Sequence, residues 1–189
     1  MSQIISIEGP EQNERQRIQR ILDGEQREYA WFVNTYSLQV LSFTSHMLPD
    51  SEDAKEVAQD AFVKAFRNLS SFRGESSLLT WVQRIAYHKA VDHLRQQRPY
   101  LVAIDEVPTL LEDEEMVMER EERILLIEEA VDRLTPDDQL LLHLFYYEDR
   151  PLRDIAYIMD VEPNTLSQRL HRIRKKLMVM IKQKENGQQ

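Results

Sequence analysis

The stretch Leu152-Arg-Asp-Ile-Ala-Tyr-Ile-Met-Asp-Val-Glu-Pro-Asn-Thr-Leu-Ser-Gln-Arg-Leu-His-Arg-Ile-Arg-Lys-Lys-Leu177 sets the reading of the whole chain. Two apolar-periodic runs flank a short break at Asp160 to Glu162, the pattern of a helix-turn-helix, whose first helix braces the second against a major groove. In the second run Leu166, Leu170, Ile173 and Leu177 make one stripe of a 3.6-residue period. At roughly 100° per residue, Asn164, Gln168, His171, Arg172 and Lys175 fall opposite that stripe, with Arg169 and Arg174 on its flanks. Pro163 suits the first helical turn, where its missing N–H is no loss.

The charge of this run sets it apart. Seven Lys and Arg lie between Arg169 and Lys184 with no acid among them, although the full chain of 189 residues carries a formal charge of -9. A merely solvated helix is expected to mix signs and gain i,i+4 support. Amide and guanidinium groups facing outward, with basic flanks, are the groups that read base edges and hold phosphates.

Composition bounds the rest. Hydrophobic residues make up 42% and charged residues 30%, which fits a globular chain, and only four glycines argue for helices throughout. There is no cysteine, so disulfides and thiolate metal sites are excluded. No apolar run approaches the roughly 20 residues of a membrane helix. Glu8, Glu11 and Glu14 precede any Lys or Arg, unlike a signal peptide. The expected location is therefore cytoplasmic.

Charge also marks the domains. Residues 99–122 hold nine acids against one Arg, with Pro99 and Pro108 inside, and read as a linker unable to fold alone. Residues 15–98 hold twelve basic and ten acidic side chains, and residues 152–189 hold eight and four. The expected plan is all-α: two small helical domains joined by a flexible acidic linker, with no internal repeat. Its boundaries are a tail over 1–17, a first domain over 18–98, a linker over 99–118, a second domain over 119–184 and a tail over 185–189.

In the first domain, residues 15–22 and 25–47 are apolar-periodic, with Trp31, Phe32, Tyr36, Leu38, Leu41 and Phe43 as core or interface bulk. Pro49 and Asp50 break the chain, and Ser51 is the expected N-cap of the next helix. That helix places Ala54, Ala58, Ala61, Ala65 and Leu69 on one side with Val57 and Phe62. Its other side shows Asp53, Glu56, Asp60 and Arg67 and exposes Val63, as a plain solvated face or as a surface for a basic partner helix. The turn Phe72 to Thr80 leads into a helix with a stripe of Trp81, Arg84, His88, Asp92 and Arg95. Such a stripe suits a single strand of nucleic acid, although Trp81 by itself fits core packing.

These motifs resemble bacterial sigma factors of the sigma-70 family, specifically the extracytoplasmic-function (ECF) type with only regions two and four. Asp50 to Arg67 is similar to the segment that grips the clamp helices of the polymerase β′ subunit. Phe72 to Trp81 with Arg84 to Arg95 resembles the loop and helix that open the minus-10 element. Thr135-Pro-Asp-Asp-Gln and the closing helix-turn-helix resemble region four. The resemblance covers residues 18–98 and 119–182.

The resemblance implies a transcription-initiation subunit with no catalytic residue, cofactor, metal or small-molecule substrate. Minus-35 contacts fall on Asn164, Thr165, Ser167, Gln168, Arg169, His171, Arg172, Arg174, Lys175 and Lys176. Minus-10 contacts fall on Arg73, Ser76, Ser77, Thr80, Trp81, Arg84, His88 and Arg95, with a base extruded into the loop at Gly74 to Thr80. Core binding falls on Asp53, Glu56, Gln59, Asp60 and Val63. The implied partners are core RNA polymerase, through its β′ clamp helices and β flap, promoter DNA and an anti-sigma factor, while the linker runs through a basic polymerase channel. The chain departs from the family where Asn is frequent at His88, aromatics at Leu79, and glycine at Asp160 and Asn164. The alternatives are a stand-alone helix-turn-helix regulator, a metal enzyme built on His88, Asp92 and His93, and a helical adaptor.

Overall fold

The structure, a computed structural model, describes residues 10–97 and 120–187. These residues form eight α-helices, a 3-10 turn and a π-helical turn, and no strand. Helices α1 (Pro10–Leu22), α2 (Gln26–Ser45), α3 (Ser51–Arg67) and α4 (Leu78–Gln97) make the first module, and α5 (Arg120–Asp132), α6 (Pro136–Leu142), α7 (Leu152–Met159) and α8 (Pro163–Gly187) the second. Residues 10–17 of the expected tail belong to α1, and residues 120–122 of the acidic block open α5. Likewise, residues 185–187 of the expected C-terminal tail complete α8. The linker expected over 99–118 lies outside the described residues.

The first module is built on the alanine face of α3. Ala54, Ala61 and Ala65 are fully buried, and their small side chains admit Phe32 and Phe43 of α2 and Val82, Ala86 and Ala90 of α4. Burying an apolar side chain of the Val, Leu or Phe class stabilises by roughly 1.5–3 kcal/mol, which makes this shared face the main cohesive element. The Thr44 hydroxyl, fully buried, donates to the Ala54 carbonyl at 2.8 Å and so ties α2 to α3. Gly24, at φ 92°, turns the chain between α1 and α2 in a backbone region that side chains avoid. Leu38, expected as bulk, is 78% exposed.

Capping corrects one expectation. Asp50, not Ser51, caps α3: its carboxylate accepts the backbone N–H groups of Glu52 at 2.7 Å and Asp53 at 3.2 Å. Ser51 is the first helical residue, because Asp50 keeps the extended backbone an N-cap needs. In the second module Thr135 caps α6, with Pro136 at the first helical position and Asp137 and Asp138 beside the positive helix end.

The two modules share one core. Ile155, Ile158 and Met159 of α7 are buried in the same cluster as Leu78, Val82 and Ala86 of α4. Polar groups follow the same seam. Arg150 donates to the fully buried Gln83 Oε1 at 2.8 Å, and the Tyr87 hydroxyl donates to Asp137 at 3.2 Å.

Candidate nucleic-acid interface

The turn before α8 survives the absence of glycine. Asp160 adopts φ 58° and ψ 46°, a left-handed geometry that Asp tolerates better than most residues, and the Val161 N–H closes the end of α7 on the Ala156 carbonyl at 3.1 Å. Leu166, Leu170 and Ile173 are buried, which turns the opposite face of α8 outward. Asn164, Thr165, Ser167, Gln168, His171, Arg172, Arg174 and Lys175 are exposed, and Lys176 is half-buried. Ser167, Gln168, His171 and Arg172 line a shallow groove on that face.

Arg169 is held by two acids of α6. Its Nε donates to Asp138 at 2.5 Å and its Nη2 lies 3.7 Å from Asp137. Those carboxylates raise the guanidinium pKa although burial itself, the largest single influence, lowers it. Arg169 therefore clamps α8 onto the start of α6 and is not on the open reading face. Helical angle placed it on a flank, but only the packing of α6 showed which charge faces that flank.

The minus-10 set divides. Arg73 and Arg95 are exposed and Ser76 is half-buried. Thr80 is only 4% exposed. The exposed Ser77 accepts the Thr80 backbone N–H at 3.1 Å, and the two hydroxyls lie 2.8 Å apart, so this pair starts α4 and Thr80 offers no free surface. Trp81 is half-buried and packs on Phe72 with ring centroids 5.3 Å apart. Loop residues Phe72, Gly74, Glu75, Ser76 and Ser77 line a cleft of about 500 Å³ together with Glu14 and Arg15 of α1 and Arg153, Asp154 and Tyr157 of α7.

Arg84 and His88 are engaged by the other module. Arg84 donates to the Tyr157 carbonyl at 2.6 Å and to the Asp160 carboxylate at 2.5 Å, with its guanidinium 4.8 Å from the Tyr157 ring centroid. His88 Nε2 lies 4.0 Å from the same carboxylate. Desolvation is the main reason its pKa is lowered, with Asp160 opposing. Sequence reasoning missed these contacts and the neighbouring His46, His143 and Arg150. The one available signal was an acid at a turn position suited to glycine.

On α3, Glu56, Gln59 and Val63 are exposed. Asp60 is paired with Lys89 at 2.5 Å, so α4 neutralises part of the acidic face, and His93 Nε2 lies 3.0 Å from Asp53. Among the described residues no three His, Asp or Glu side chains gather as metal ligands, and no helix is long and apolar enough to cross a membrane.

A helical module with an alanine-packed core, followed by a helix-turn-helix with an acid-free reading face, defines a two-part, all-α nucleic-acid reader. Residues 32–100 match Sigma-70 region 2, and residues 124–177 match Sigma-70, region 4. RNA polymerase sigma-H factor of Pseudomonas aeruginosa is 30% identical over 176 residues, covering 87% of this chain and 91% of that protein. ECF RNA polymerase sigma-E factor of Escherichia coli K12 is 30% identical over 169 residues, covering 83% and 88%. The fold is also that of CnrH in its complex with the cytosolic domain of CnrY, at TM-score 0.60 and 19% identity over 89% of this chain and 97% of that one. Sigma factor RpoE from Bartonella quintana, in complex with the anti-sigma factor NepR, matches at TM-score 0.59 and 18% identity over 82% and 98%. The chain belongs to the sigma-70 family of RNA polymerase sigma factors, in its ECF branch. It directs transcription initiation as a polymerase subunit and is not a stand-alone regulator.

Proposed function

We propose that this sigma factor reads promoters with two separated surfaces and adds no chemistry of its own. The α8 face of Asn164, Thr165, Ser167, Gln168, His171 and Arg172 enters the minus-35 major groove, with Arg174, Lys175 and Lys176 on phosphates. Arg73, Ser76, Ser77, Trp81, Arg84, His88 and Arg95 meet the minus-10 element and a base extruded from the non-template strand. Extrusion costs a few kcal/mol of unstacking, which contacts in the loop offset. Glu56, Gln59 and Val63, with Asp53 and Asp60 at their edge, dock on the β′ clamp helices, and the second module meets the β flap. The complexes of CnrH with CnrY and RpoE with NepR support an anti-sigma factor as a further partner.

The observation that carries this reading is the exposed, acid-free face of α8 in a chain of net charge -9. Positive charge is concentrated where phosphate is met, although the chain as a whole is acidic. Run-off transcription with core polymerase and genomic promoter fragments tests it. A promoter-dependent product is expected. Absence of any product, together with failure to co-purify with core polymerase, would overturn the reading.

A further inference from the structure

The seam between the modules covers part of the surface proposed for the minus-10 strand, at Arg84 and His88, and leaves Arg73 and Arg95 exposed. Arg84 spends one side of its guanidinium on the Tyr157 carbonyl and the Asp160 carboxylate and lies against the Tyr157 ring. His88 faces the other oxygen of that carboxylate at 4.0 Å. A carboxylate bridging a guanidinium and an imidazole is placed as a phosphate oxygen would be. The same helix, α7, walls the cleft over the Phe72 to Ser77 loop. The recognition face of α8 stays open in this arrangement.

We propose that Asp160 is an intramolecular anion that occupies Arg84 and closes the free chain, so that minus-10 DNA and the second module compete for one guanidinium. Two features suit a lock that is meant to open. Asp160 holds a left-handed backbone at φ 58°, where glycine meets no steric penalty, so the acid stands at a position that does not favour a side chain. Closure also traps the Gln83 amide: its Nε2 is buried and finds no acceptor among the described residues. A buried donor left unpaired weakens the closed form relative to one in which water reaches it.

The lock rests on the assignment of α4 to DNA, but its test does not. The chain contains no cysteine, so Asn34→Cys and Asp132→Cys, both at exposed positions, give a unique label pair. Distance distributions are measured on the full, DNA-free chain with native Asp160, with Asp160→Asn and with Asp160→Gly. Asn keeps the turn and the shape while removing the charge, and Gly relaxes the backbone. Circular dichroism verifies that both variants stay helical. Both are expected to move population to longer distances. Both should also bind a fluorescein-labelled single-stranded oligonucleotide about fivefold more tightly without polymerase, the scale of one partly exposed ion pair. Unchanged distances in both variants overturn the lock, whether or not the chain supports transcription. Longer distances with unchanged oligonucleotide affinity overturn the competition for Arg84. Longer distances in a chain that yields no run-off product leave the lock standing and overturn the promoter reading alone.

Discussion

His143 stacks on His46 across the two modules, with ring centroids 3.6 Å apart and planes inclined by 28°. His46 ends α2 and bonds the Ser42 carbonyl at 2.7 Å, while His143 sits in the π-helical turn 3.3 Å from Glu148 and stacks on Tyr147. Burial first, and then the His46 ring, lower the His143 pKa below its ordinary 6.5, against a smaller opposing pull from Glu148, with Arg150 adding to the lowering.

The sign of the pH effect follows. His143 lies on the seam with its pKa lowered, in part by the His46 ring across the modules, so the closed arrangement favours its neutral ring. Around His88, Arg84 and Lys64 add to the lowering while Asp160 and Asp92 oppose it. Through His143, closure is fully supported above 6.5 and loses stability as pH falls below that value, while the Asp160 contact at His88 opposes that loss. Label distances between the modules should lengthen from about pH 7.5 to about pH 5.5. His143→Gln should flatten that dependence, and an unchanged pH response in this variant would place the titrating group elsewhere.

Arg169 and Arg172, three positions apart on α8, should behave in opposite ways. Arg169→Ala strands Asp138 and should lower stability by about 1–2 kcal/mol, which at this chain length moves the melting temperature by roughly 2–8 °C. Arg172→Ala should leave the melting temperature in place and weaken minus-35 binding by the holoenzyme. Thermal unfolding and promoter titration on the same two proteins separate structure from readout.

Within the reading face, base and phosphate contacts are distinguishable by salt. Gln168→Ala should cost about 1–3 kcal/mol on the preferred promoter and relax sequence preference. Lys175→Ala should weaken binding similarly on all sequences and reduce the slope of log affinity against log salt by about 1. Holoenzyme titrations at several salt concentrations check both.

The cap of α3 gives a stability test remote from DNA. Asp50→Ala should cost about 1 kcal/mol, because the Glu52 and Asp53 N–H groups lose their acceptor. Ser51→Ala should be close to neutral or slightly favourable, since Ser51 lies inside the helix. Urea unfolding of the two variants compares them directly, and equal losses would contradict the assigned cap.

Much of the architecture could be read locally. The stripe Leu166, Leu170 and Ile173 repeats every three or four residues, and Pro163 and Asp160 mark a start and a turn by their own backbone preferences. Those signals act within a few residues, so helix type, the break before α8 and its outward basic face were legible in sequence alone. Ser51 and Asp50 show the limit of even local reading, since adjacent residues both suit a cap and only backbone dihedrals distinguish them.

The roles of Arg84, His88, Arg169 and Asp160 were set at longer range. Periodicity placed Arg84, His88 and Arg169 on polar faces and turn chemistry placed Asp160, but a polar group looks the same whether it meets water, DNA or another part of its own chain. Arg84 and Asp160 stand 76 positions apart and meet because the apolar side of α7 packs on α4. The sequence by itself determined which helices form and where positive charge gathers. Only the tertiary structure decided which of those charges are already answered within the chain, because that depends on how two amphipathic surfaces dock and not on the pattern within either.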